Sequence, residues 1–108
     1  MAGLRRGEVH LYEFASPDKQ RPVLVLTRDS VIPGLSAVVV ATITSSIRDT
    51  DSEVFLDEND GMKHPCAVNL HNLSTVRKER LRRRVAILSK AKMDQICAAL
   101  AFASGCDS

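Results

Sequence analysis

At 108 residues the chain is expected to form one domain, residues 1–108, with a modest core of its own. With 44% hydrophobic and 26% charged residues it is not a disordered polymer, and a net charge of +2 by itself points to no partner. Three cysteines without C-x-x-C spacing exclude a complete disulfide framework, and no apolar run approaches the ~18 residues that would span a bilayer.

These exclusions, with Arg5 and Arg6 followed by no apolar stretch of the kind a signal peptide carries, lead to the expectation of a cytoplasmic protein with no membrane segment. In chain order, "RRGEVHLYEF" (5–14) alternates in side-chain character and reads as a first strand. "ASPDKQ" (15–20) is a polar connection. "PVLVL" (22–26) does not alternate, which suits a strand buried on both faces, with Pro22 expected at the first strand position. Arg21 stands directly before it. Residues 28–36 form a loop turning at Pro33-Gly34, "AVVVATITSSI" (37–47) is a third strand, and "SEVFL" (52–56) is a short fourth.

After the turn-rich "DENDGMKHP" (57–65), "CAVNLHNLSTV" (66–76) alternates well as a fifth strand. "RKERL" (77–81) reads as a helical turn and "RRRVAILS" (82–89) as a last strand. The period then changes. Met93, Ile96, Cys97 and Leu100 fall on one face of a helix, with Ser89 as N-cap and Gly105 as its end. About six strands and one terminal helix, with no βαβ alternation, predict a mainly β protein: a small antiparallel barrel closed by a C-terminal helix.

Charge is unevenly spread. Arg77, Lys78, Arg80, Arg82, Arg83 and Arg84 are opposed only by Glu79, whereas residues 49–60 carry six carboxylates. A basic face of this kind can meet phosphates, or simply be solvated. Phosphate-cradling glycine loops and nucleophile elbows are missing from the sequence. His64, Cys66 and His71 lie close in sequence but without nearby carboxylate support, so no metal site is assigned.

"RRGEVHLYEF", "RPVLVL", "ATITSSI" and "HNLSTVRKERL" occur in an order and spacing that resemble the MazF/PemK family of bacterial toxins, over about residues 5–105. The resemblance implies an SH3-like, MazF/CcdB-like barrel assembled as a homodimer. It further implies a sequence-selective, metal-independent ribonuclease that uses no cofactor, acts on single-stranded RNA and is neutralised by a MazE-like antitoxin. The first loop is shorter than usual, and Asn72, Ser74 and Arg77 stand where the family more often has Gln, Arg and Asp. These departures bear on which RNA sequence is preferred.

Ribonucleases that work without a metal use the RNA 2′-hydroxyl as nucleophile, giving a 2′,3′-cyclic phosphate and a 5′-hydroxyl. The protein must stabilise the extra negative charge on phosphorus and move two protons. A guanidinium is planar, always charged and bidentate toward phosphate oxygens, and a hydroxyl hydrogen-bonds the same oxygens. Arg21 and Thr44 match the family's catalytic positions, and the resemblance implies that Arg21 serves as both acid and base, although a guanidinium with a pKa above ~12 is a poor base in solution. Ser45 follows Thr44 in the same motif and joins the expected substrate contacts. Phe14 matches an aromatic that borders the RNA groove and could stack a base or fill the core. Lys19 and Gln20, beside Arg21, are expected backbone contacts. Asn72, Ser74 and Arg77 are expected on the RNA-reading segment with His71, a substrate contact first and a proton carrier second. Asn69 could also read a base, but a regular strand would not turn Asn69 and Asn72 to the same side. His10 is assigned to packing, and His64 has no specific role.

Two other readings stay open at this stage. One is a nucleic-acid-binding barrel without catalysis, in which residues 77–84 matter and Arg21 does not. The other is a gyrase inhibitor of the CcdB type, whose characteristic apolar–Gly–apolar C-terminal end is not matched by "ASGCDS".

Overall fold

The computed structural model of the protein describes residues 3–14 and 20–107. Strands β1 (Glu8–Glu13), β2 (Gln20–Val25), β3 (Ala37–Thr44), β4 (Glu53–Leu56), β5 (Cys66–Arg77) and β6 (Leu81–Ile87) precede helix α1 (Lys90–Ser104). Short 3-10 turns occupy Ile32–Gly34, Glu58–Asp60 and Lys78–Arg80. All strand pairs are antiparallel and form one sheet in the order β4-β5-β3-β2-β1-β6. The mainly β architecture with a C-terminal helix is therefore as the sequence predicts.

The apolar run of β2 explains how two cores form on one sheet. Leu24 and Leu26 enter a cluster with Val9, Ile43, Leu56, Val68 and Leu70, and α1 covers this cluster through Ile96 and Ala99. Val23 and Val25 face the other side and pack with Ile32, Val38, Val40 and Val76. A strand buried on both faces needs no polar alternation, which is what "PVLVL" lacks. The β4 and β6 edges do not pair with each other. Instead, Gly61, in the turn after β4, lies against Ala86 of β6 so closely that a Cβ at 61 would sit 3.1 Å from the Ala86 Cβ.

Two local expectations are corrected. Pro22 is the third residue of β2, not the first. It pairs with Leu11 of β1, whereas the β2–β3 ladder runs only from Val23 to Val25. A residue without an N–H is tolerated there because β3 no longer pairs with the strand. On α1 the inward face is Met93, Ile96, Ala99, Leu100 and Ala103, and Cys97 is exposed. Position 97 lies a step round from the buried stripe, and its sulfur is 3.1 Å from the Arg6 guanidinium. Ser89 caps the helix by accepting from the Lys92 N–H, and Gly105 ends it in the left-handed conformation.

Candidate active site

The β2–β3 register pairs Val23 with Thr42, and continued by two residues it would set Arg21 opposite Thr44. The ladder stops before that point. Proline at 22 and the end of β3 at Thr44 leave two polar side chains at the mouth of a parted strand pair. Two clefts meet here. The first, of about 450 Å³, is lined by Phe14, Arg21, Thr42, Ile43, Thr44, Ser46, Arg48, Glu53, Asn69 and Asn72. The second, of about 420 Å³, takes Arg21, Pro22, Ile43, Thr44 and Ser45 together with Leu11, Gly61, Met62, Lys63, His64, Cys66, Arg83 and Val85. Arg21, Ile43 and Thr44 are common to both.

Among the described residues the Arg21 side chain has no hydrogen bond or ion pair, although it is exposed beside carboxylate-bearing strands. Asp29, one of the partners its sequence neighbourhood offers, is taken by Arg5 at 3.6 Å and by the Arg6 N–H at 2.6 Å. The Thr44 hydroxyl oxygen accepts from the Ser46 N–H at 3.0 Å. Its own proton remains available to donate into the clefts.

The β5 side of the first cleft owes its shape to an irregularity. β3 pairs Ala41 with Leu73 but Thr42 with Asn69, so Leu70, His71 and Asn72 are looped out between paired positions. The Asn69 side-chain carbonyl closes the bulge by accepting from the His71 N–H at 3.0 Å. The extra residues change the phase of the strand, and Asn69 and Asn72 line the same cleft. On a regular strand they would face opposite ways.

On the far wall, one Glu53 carboxylate oxygen accepts from the N–H groups of Arg48 at 2.9 Å and Asp49 at 3.0 Å. Asp49 has a positive φ of 56°, an uncommon conformation that this pair of hydrogen bonds holds. The loop is thereby folded back so that Arg48 lines the cleft. Sequence reasoning missed Thr42 near the end of β3, Ser46 and Arg48 in the polar turn after it, and Glu53 at the start of β4; the turn's cluster of polar residues was the signal for Ser46 and Arg48.

Of the residues expected from sequence, the structure brings together Arg21, Thr44, Ser45, Phe14 and Asn72. Phe14 also stacks edge-on against Tyr12, with ring centroids 4.8 Å apart. Gln20, His71 and Ser74 line neither cleft. Arg77 pairs with Ala37 at the opposite end of β3 from Thr44, seven residues or roughly 23 Å of strand away. Its Nε is 2.8 Å from Glu79, and this hydrogen bond, reinforced by the charge of the guanidinium, holds the Glu79 carboxyl below the usual carboxylate range. Lys19 lies outside the described residues. His64, set aside from sequence, lines the second cleft. Cys66 at its floor is buried, and burial first, then the Asp60 and Asp57 charges, push its thiol pKa up.

An open six-stranded antiparallel sheet backed by a terminal helix, with a cation unpaired among the described residues and a hydroxyl at a strand end, defines the class. Comparison with known proteins gives the family. The pattern of the "PemK-like, MazF-like toxin of type II toxin-antitoxin system" family matches residues 5–103, and the chain belongs to that family. It is 39% identical over 104 residues to "Probable endoribonuclease MazF2" of Mycobacterium tuberculosis, covering 95% of this chain and all of that one. It is 40% identical over 102 residues to "Probable endoribonuclease MazF5" of the same organism, covering 94% of this chain and 93% of the relative. Among solved structures, the Mycobacterium tuberculosis toxin MazF-mt6 superposes with a TM-score of 0.82 at 33% identity, over 91% of this chain and 96% of that one. A mycobacterial endoribonuclease solved with its cognate antitoxin has the same fold, with a TM-score of 0.86 at 24% identity over 95% of this chain and 96% of that one.

Proposed function

We propose that this chain is the endoribonuclease toxin of a type II toxin–antitoxin pair, cutting single-stranded RNA at the seam between the two clefts. The observation that carries the reading is a guanidinium with no partner among the described residues, Arg21, beside the Thr44 hydroxyl at a point both clefts share. Such a pair suits a phosphodiester. The guanidinium fork takes both non-bridging oxygens, the hydroxyl donates a further hydrogen bond to one of them, and both contacts gain strength as charge builds on phosphorus. The 2′-oxygen attacks in line, the bond to the 5′-oxygen breaks, and a 2′,3′-cyclic phosphate and a 5′-hydroxyl result.

Bases on either side of the cut would enter the clefts, where Phe14 offers a ring to stack on and Asn69 and Asn72 offer amides to base edges. That arrangement supports sequence selectivity. Val31, Leu35, Val39, Leu73 and Phe102 are all exposed, and their burial between two copies is consistent with a homodimer. In this reading the toxin works in the cytoplasm, and a MazE-like antitoxin silences it by filling the groove.

The test is cleavage of a long single-stranded RNA in EDTA, with the ends of the products mapped. The native chain is expected to leave cyclic phosphate and 5′-hydroxyl ends. Arg21→Ala is expected to lower the rate at least about 10²-fold with the fold intact. Undiminished cleavage by that variant would sink the reading.

A further inference from the structure

Arg21 and Thr44 account for charge on the phosphate but not for the two protons the reaction moves, since a guanidinium is a poor proton carrier. We propose that His64 gives a proton to the departing 5′-oxygen and that the Glu53 carboxylate takes the proton of the attacking 2′-hydroxyl. The assignment rests on the ribonuclease reading above and specifies which residues of the same site move protons.

The three histidines are separated by what surrounds them. His10 is engaged at both ring nitrogens: Nδ1 is 2.8 Å from the Arg82 carbonyl oxygen and Nε2 is 2.8 Å from the Glu8 carboxylate. His71 sits on the β5 bulge and lines neither cleft. His64 lines the second cleft with Arg21 and Thr44, is exposed, and has no side-chain hydrogen bond or ion pair among the described residues. The chain leading to it is held by the turn at Gly61, where the N–H groups of Gly61 and Met62 bond the carbonyls of Glu58 and Asp57. A protonated imidazole facing a leaving oxygen is the ordinary donor for this step, and it returns to the neutral ring as the proton is given up.

Glu53 stands in the other cleft. One carboxylate oxygen is committed to the Arg48 and Asp49 N–H groups, which fixes the side chain, and the second oxygen has no partner among the described residues. In-line displacement places the attacking and leaving oxygens on opposite sides of phosphorus, so base and acid must approach from different sides. Two clefts that share only Arg21, Ile43 and Thr44, one lined by a carboxylate and the other by an imidazole, suit that requirement. The balance is complete. The O2′–H bond breaks and Glu53 keeps the proton, O2′ bonds to phosphorus, the P–O5′ bond breaks, and O5′ takes the His64 proton. Water restores both groups.

The experiment compares single-turnover cleavage of one RNA oligonucleotide containing the mapped cut site in two forms, natural and with sulfur in place of the bridging 5′-oxygen. A thiolate leaves without a proton, so it removes the need for an acid but not for a base. His64→Ala is expected to slow the natural substrate about 10²–10³-fold and the sulfur substrate by only a few-fold. Glu53→Gln keeps the acceptor oxygen that holds the loop and loses the basic one, and is expected to slow both substrates alike by about 10²-fold. His64→Ala slowing both substrates equally, or neither, would overturn the assignment of His64; full activity in Glu53→Gln would overturn that of Glu53. Failure of the native chain to cut either RNA would overturn the ribonuclease reading itself, and the proton assignment with it.

Discussion

Neither of the carboxylates that the sequence places near Arg21, Glu13 and Asp29, takes its guanidinium; Asp29 belongs to the Arg5–Arg6 corner instead. The position of the charge at the mouth of an apolar strand was legible from "RPVLVL", because only a strand anchored on both faces would hold a cation that firmly. Its freedom was not, since ion pairing depends on which loops fold over which strand. The shape of the guanidinium is expected to matter as much as its charge. Arg21→Lys keeps the cation but loses the two-pronged contact, and should lower the cleavage rate at least tenfold while RNA retention on a filter changes little. Asn72 belongs at this scale too. If its amide reads a base edge, Asn72→Ala should lower discrimination at one position of the cut sequence by about tenfold or more, seen by mapping product ends across a random RNA pool.

Among the elements, β5 departs furthest from what its sequence shows. "CAVNLHNLSTV" alternates so regularly that a straight strand is the natural expectation, and the element itself is where it should be. The bulge at Leu70–Asn72 arises from the register with β3, and pairing register leaves no mark on a single strand's side-chain pattern. That is why Asn69 and Asn72 looked mutually exclusive from sequence and share a cleft in the structure. His64 was hidden for a related reason: "DENDGMKHP" reads as a loop, but where its tip lands depends on the contact between Gly61 and Ala86. Gly61 has a φ of +97° and little room for a side chain. Gly61→Ala should destabilise the fold by about 1–3 kcal/mol in urea titrations. It should also slow RNA cleavage more than it weakens retention of RNA, because it displaces the loop bearing His64.

For the molecule as a whole, the protonation of Cys66 ties stability to pH. Its folded thiol holds its proton more tightly than the unfolded chain does, because of burial and the nearby Asp60 and Asp57. The associated stability is therefore complete below the ordinary thiol pKa, about 8.5, and is lost as pH rises beyond it toward the raised folded value. Urea midpoints should hold steady around neutrality and fall in alkaline buffer, and Cys66→Ala should flatten that fall. The same burial predicts that a thiol reagent modifies Cys97 and Cys106, both exposed, well before Cys66.

The open sheet has a consequence for solubility. Among the described residues β6 is an edge paired with β1 alone, and an unpaired edge is a template on which another chain can add a strand. Its Arg82, Arg83 and Arg84 are all exposed. At the other edge, the Phe55 carbonyl of β4 is capped by Lys92 from the helix at 3.1 Å. The arginine run that first reads as a surface for phosphates is thus also a guard. Two copies brought edge to edge along β6 would set these arginines against one another, so the edge carries its own barrier to adding strands and forming fibres.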